Sequence, residues 1–208
     1  MDKSRHGDEY RSTGILVDQL FDDQTFMAIK NLVVNVCRNV RSQYDPDFVR
    51  YSLHNFGPLA DVHEQIVPYA SELFGEPLKR SYCFLSMYLP GGRVPMHSDR
   101  PTCYRTIDLM VQQDDDEPWP LWVSEPWTDE QWAEYEGPLV ATEAFGGLAG
   151  EVQPDLMSEV WDEVTLEPNQ AYCYSGTHSW HLRPTTAKSR TDLIFFHFVQ
   201  EEYDGILD

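Results

Sequence analysis

Hydrophobic residues recur every three or four positions early in the chain and at shorter steps later, so helices should precede strands. From residue 23 to about 44, Phe26, Ile29, Val33, Val36, Cys37 and Val40 mark one apolar face and predict a first helix. A second is expected over residues 59–74, with Val62, Ile66, Tyr69, Ala70 and Leu73 as its stripe. Gly75 stands where a left-handed cap would close it. After Pro77 the pattern changes. Residues 80–89 are rich in Tyr, Phe and Cys and end at Pro90-Gly91-Gly92, which reads as a strand and a turn. Further strands are expected at 104–112, 119–124, 160–166, 171–174 and 191–199, with one or two helical turns at 128–135 capped by Thr128.

Short strands divided by turn chemistry and preceded by helices point to a mainly β (α+β) fold. The expectation is a jelly roll with the N-terminal helices packed on one sheet. A parallel α/β sheet would need helices alternating with strands through the second half, and the pattern does not supply them. The 208 residues suit a single domain, 1–208, with a helical support region at about 1–78 and a jelly-roll core at about 79–200.

Composition narrows the function. The chain carries 35 acids against 15 Lys and Arg, a formal charge of -20, which repels phosphate backbones and argues against nucleic acid. This charge leans toward a neutral or basic small-molecule or peptide substrate, although solubility alone accounts for many acidic surfaces. Four scattered cysteines (Cys37, Cys83, Cys103, Cys173) form neither a zinc-finger spacing nor a disulfide framework. The first residues, MDKSRHGDEYRS, lack an apolar leader core, and no run reaches the ~18 apolar residues of a membrane span. A cytoplasmic protein without membrane partners is therefore expected. Oligomeric state is not encoded in any pattern here.

The chemistry gathers around His97-Ser98-Asp99. On an extended segment, residues two apart share a face, so an imidazole and a carboxylate can converge on one point. A second imidazole would complete the two-histidine, one-carboxylate set that suits non-haem iron(II). His181 and His178 both stand in the segment after Gly176, and the nine-residue gap to Arg190 favours His181. Arg190 opens the apolar strand TDLIFFHFV, where a guanidinium can clamp a carboxylate bidentately. His197 reads as a packed strand residue, His6, His54 and His63 as surface residues, and Arg183 as an exposed loop arginine.

Several pieces together resemble the iron(II)/2-oxoglutarate-dependent dioxygenases, especially their prolyl-hydroxylase-like branch. They are Tyr88-Leu89-Pro90-Gly91-Gly92, His97-Ser98-Asp99, Arg105, the Glu167-Pro168-Asn169-Gln170-Ala171 turn, His181, and Arg190 with its strand. The resemblance spans roughly residues 80–200. It implies a double-stranded β-helix in which His97, Asp99 and His181 ligate Fe(II), 2-oxoglutarate chelates the iron, and Arg190 pairs with the cosubstrate's distal carboxylate. Tyr88, just before the turn, is implied as a further cosubstrate contact, and by alternation Tyr82, Phe84 and Ser86 share its face. The implied reaction consumes O2 and hydroxylates or desaturates an amino acid, a peptide side chain or a small natural product. With Asp99 and not Gly or Ala as the carboxylate position, halide finds no vacant ligand site. One departure stands out: Asp192 occupies a position where relatives carry Ser or Thr, so it needs a cation partner or an outward orientation.

Two other readings remain at this point. A cupin-like metal oxygenase without 2-oxoglutarate would share the jelly roll but leave Arg190 unexplained. A non-catalytic jelly-roll binding protein would have no need of the ligand set. The tryptophans and tyrosine at 119, 122, 127, 132 and 135 follow the acidic run 114–117 and read equally as a covered sheet edge or a substrate lid.

Overall fold

A computed structural model describes residues 8–39, 42–113, 118–134, 140–141, 148–149, 160–184 and 190–207. Two short strands, β1 (Glu9–Tyr10) and β2 (Ile15–Val17), lead into helix α1 (Asp23–Asn39). A hairpin of β3 (Gln43–Asp45) and β4 (Arg50–His54) precedes helix α2 (Gly57–Phe74). The remaining principal strands are β5 (Leu78–Tyr88), β6 (Val94–Ser98), β7 (Arg105–Gln113) and β8 (Leu121–Ser124). After the short helix α3 (Asp129–Glu134) come β9 (Val140–Ala141), β10 (Leu148–Ala149), β11 (Trp161–Val164), β12 (Ala171–Tyr174), β13 (His181–Arg183) and β14 (Thr191–Gln200).

The strands form two antiparallel sheets, ordered β1-β2-β12-β7-β14-β5-β4-β3 and β11-β8-β13-β6-β10-β9. Successive strands of the core alternate between sheets: β5 to β6, β7 to β8, β11 to β12, β13 to β14. This is the jelly roll that the pattern predicts. Both helices lie on the outer face of the larger sheet, where Ile29, Val33 and Val36 of α1 and Leu59, Ile66 and Ala70 of α2 meet Leu85, Ile107, Leu109, Ile194 and Phe196. A second core fills the space between the sheets and includes Tyr88, Met110, Trp119, Leu121, Val123, Tyr174 and Leu193. Alternation along β14 accounts for the division: Leu193 faces the interior, while Ile194 and Phe196 face the helices.

Local chemistry explains the element ends. Gly75 takes the left-handed conformation, φ 72°, and its N–H donates to the Ser71 carbonyl, closing α2 as expected. At α3, Gln131 N–H donates to Thr128 Oγ1 while Thr128 N–H donates to Gln131 Oε1, a reciprocal capping box. The first helix is described as far as Asn39; Val40, the last residue of its expected stripe, lies outside the described residues, and residues 43–45 pair with β4. His63, expected at the surface, is fully buried against the rings of Phe196 and Phe198, since it falls on the apolar face of α2. Among the described residues no helix is long and apolar enough to cross a membrane.

Candidate metal and cosubstrate site

β6 and β13 are neighbours in the smaller sheet, and their register places His181 directly opposite His97. The two rings lie 4.1 Å apart, centroid to centroid. Asp99 follows the last residue of β6, and its N–H donates to the Gly176 carbonyl at 2.8 Å, which turns the carboxylate toward both rings. Asp99 Oδ1 is 3.4 Å from His97 Nε2 and 3.7 Å from His181 Nε2. The one-ligand-atom-per-residue set His97, Asp99, His181 thus falls within 4.8 Å, close enough to hold one ion.

The tautomers are fixed by the backbone. His97 Nδ1 lies 2.9 Å from the Pro95 carbonyl and His181 Nδ1 3.0 Å from that of Ser179. A carbonyl only accepts, so each Nδ1 carries a proton, and each Nε2 is the nitrogen that faces Asp99. Burial, reinforced by the neighbouring His181, keeps His97 below its ordinary pKa and therefore neutral. Burial alone would raise the Asp99 carboxyl, but the two imidazoles outweigh it and hold Asp99 below the usual carboxylate range. Two imidazoles and one carboxylate are the donor set that suits ferrous iron.

Gly176 is required by close approach. A Cβ there would sit 2.2 Å from the Cys103 carbonyl oxygen and 2.7 Å from Asp99 Oδ2. His178, the rival to His181, hydrogen-bonds Thr177 through Nδ1 and faces Asp129 and Tyr104, so the structure brings His181 and not His178 to Asp99. His197 is buried, hydrogen-bonded to Thr106, and held neutral by burial with a pKa of about 4. It also lies with Asp99 and Cys103 in a second, overlapping group of donor atoms.

The triad opens onto a cavity of about 230 Å³ whose walls include Tyr82, Phe84, Tyr88 and Phe195, with exposed His54 at its rim. No protein-family model matches this sequence, and no curated protein matches it. Solved structures do match in three dimensions. A Pseudomonas putida prolyl-4-hydroxylase superposes with TM-score 0.60 at 10% identity, over 95% of this chain and 94% of that one. EctD from S. alaskensis, solved with 2-oxoglutarate and 5-hydroxyectoine, gives 0.59 at 14%, over 91% and 73%. The epimerase SnoN, in complex with Fe3+, alpha ketoglutarate and nogalamycin RO, gives 0.66 at 11%, over 92% and 80%. The chain shares the jelly-roll fold of these oxygenase structures.

In this oxygenase fold the arginines do not stand where spacing along the chain suggests. Arg190 precedes β14 and donates to both carboxylate oxygens of Asp192, at 2.8 and 2.6 Å, and it does not line the cavity. Asp192 pairs across the sheet with Met87, on the helix-covered face, and accepts a further bond from Gln112. The cation that Asp192 needs is therefore its neighbour Arg190. The cavity's own cations are Arg50, Arg100 and Arg183. Arg183, expected as an exposed loop residue, is 2% exposed and bonds Asp108 at 2.6 Å and the Trp119 carbonyl at 2.8 Å. It follows His181 by two on one strand, so the alternation that links His97 to Asp99 would have placed it inside.

The aromatic residues after position 118 divide. Trp119 is buried between the sheets, with its ring 4.8 Å from Tyr88 and its Nε1 donating to Pro184. Trp127 and Trp132 instead pack with Trp180 outside the cavity. The acidic run 114–117 and Tyr135 lie outside the described residues.

Proposed function

We propose that the protein is an Fe(II)- and 2-oxoglutarate-dependent oxygenase that hydroxylates a small molecule, of the size of an amino acid, peptide side chain or natural-product fragment. The observation that carries the reading is the convergence of His97, His181 and Asp99, with both Nδ1 atoms anchored by backbone carbonyls, at one end of a jelly-roll cavity.

In this reading His97, His181 and Asp99 hold the iron. When bound, ferrous iron supplies the activation of O2 that couples oxidative decarboxylation of 2-oxoglutarate to oxidation of the substrate. The chain's own contribution is placement and shielding. The Pro95 and Ser179 carbonyls keep both imidazoles in the ligating tautomer, and the Gly176 carbonyl orients Asp99. Tyr82, Phe84, Tyr88 and Phe195 give the cavity aromatic walls that exclude bulk water from the reacting centre. Tyr82 and Cys103 are 2.9 Å apart, and burial raises both of their pKa values, so this wall stays neutral.

Succinate formation from 2-oxoglutarate tests the proposal even without the substrate. The purified protein, supplied with Fe(II) and O2, is expected to release succinate slowly, and the Asp99→Ala variant is not. Equal release by both proteins would refute the assignment.

A further inference from the structure

The charges around the cavity identify which cation is available for the cosubstrate. The charged lining residues are Arg50, Arg100, Arg183, Asp99 and Asp108. Asp99 belongs to the metal triad, and Arg100, next to it in the chain, lies 4.7 Å over the Tyr82 ring and hydrogen-bonds Cys103. Asp108 and Arg183 neutralise each other at 2.6 Å with side chains 0% and 1% exposed. Arg190 is bound to Asp192 on the far side of the larger sheet. At the inner face of β14, Thr191 and Leu193 occupy the positions level with Tyr88 and Ser86, and neither carries charge.

Arg50 stands at that same level from the other side. It pairs with Tyr88 in the β4–β5 register, and its Nη1 donates to Tyr88 Oη at 3.0 Å and to Ser86 Oγ at 3.1 Å. Because both hydroxyls accept from Arg50, both keep their own protons to donate elsewhere. The guanidinium is packed 4.1 Å from the Phe48 ring and 4.9 Å from that of Phe84, which fixes its plane. Its carboxylate neighbour, Asp45, is 3.5 Å away and partly exposed. Its Nε is buried and has no hydrogen-bond partner among the described residues. A charged group, two hydroxyl protons and an orphaned buried donor together form a receptor for an anion.

We propose that Arg50, assisted by Tyr88 and Ser86, binds the distal carboxylate of the 2-oxo-dicarboxylate cosubstrate in place of Arg190. This rests on the functional reading above. It moves the cosubstrate's charge partner from the last core strand to β4, a strand added at the edge of the larger sheet. It also makes the cavity, inside a strongly acidic protein, a site for an anion.

A thermodynamic cycle tests the proposal without turnover. Under anaerobic conditions with Fe(II) bound, calorimetry compares 2-oxoglutarate with 2-oxopentanoate, which has the same chain but lacks the distal carboxylate. Wild type is expected to prefer 2-oxoglutarate on the order of 100-fold, the range that a buried charged pair commonly supplies. In Arg50→Gln the preference should fall to within about threefold, while Arg190→Gln keeps it. Tyr88→Phe, which retains the packed ring, should reduce the preference about tenfold, and melting curves with metal titration establish that each variant is folded. Preserved discrimination in Arg50→Gln, or its loss in Arg190→Gln, would overturn the proposal. A wild-type protein that binds neither acid would overturn the functional reading itself, whereas one that binds both without preference would overturn this inference alone.

Discussion

His181 is the register partner of His97 across β6 and β13, with the two rings 4.1 Å apart. Sheet pairing, and not flexible loops, sets the spacing of two of the three proposed ligands. A pair so placed should bind metal as a unit. His97→Ala or His181→Ala should weaken Fe(II) or Co(II) binding by more than the ~10–100-fold that outer-shell changes cost. His178→Ala should leave affinity within about threefold, because that ring faces Asp129 and Tyr104. Metal titration of the three variants checks the assignment.

Gly176 is the structural support of Asp99. Any side chain at 176 meets the Cys103 carbonyl at 2.2 Å and the Asp99 carboxylate at 2.7 Å. Gly176→Ala should therefore cost about 1–3 kcal/mol in stability through overpacking. It should also lower metal affinity roughly 10–100-fold by displacing the carboxylate. Unchanged metal binding in a folded Gly176→Ala protein would show that Asp99 does not depend on this turn.

The Arg183–Asp108 pair is buried on both sides. Burial raises the Asp108 pKa, and Arg183 opposes that shift. Arg183→Met leaves a carboxylate uncompensated in the core and should destabilise by about 3–5 kcal/mol, read as a shift in urea midpoint. The double variant Arg183→Met/Asp108→Leu should recover much of that loss.

His63 sits against Phe196 and Phe198, and burial, reinforced by the neighbouring His197 and Arg80, lowers its pKa from 6.5 to about 3. Between these values the unfolded chain binds a proton that the folded chain does not. Stability therefore falls as pH drops from about 6.5 toward 3, by up to about 1.4 kcal/mol per pH unit, and is indifferent to this group above 6.5. His63→Leu should flatten that slope in urea midpoints measured from pH 7 to pH 4.5.

Much of this was legible in the sequence because it depended on periodicity. The two helix stripes, the strand at 80–89 and the change of period after Pro77 followed from spacing alone, as did the placement of Tyr82, Phe84 and Tyr88 on one face. The short strands β1 to β4 were not legible, since residues 9–17 and 43–54 carry little alternation, and their two short hairpins join the larger sheet only through strands distant in the chain. Arg50 was hidden for that reason. Arg190 misled because spacing gives distance along the chain but not parity. One residue before Thr191, it shares the side of Asp192 and turns to the face opposite Tyr88. Arg183 obeyed the parity rule that relates His97 to Asp99 and could have been read from it.

The most direct test of the central claim is anaerobic titration of the apoprotein with Fe(II) and then 2-oxoglutarate, followed by visible absorption. The account predicts that iron binds with one equivalent per chain and that 2-oxoglutarate then produces the weak visible charge-transfer band of its iron chelate. The band should be absent in Asp99→Ala. Failure to bind iron, or binding of iron without any band on addition of 2-oxoglutarate, would contradict it.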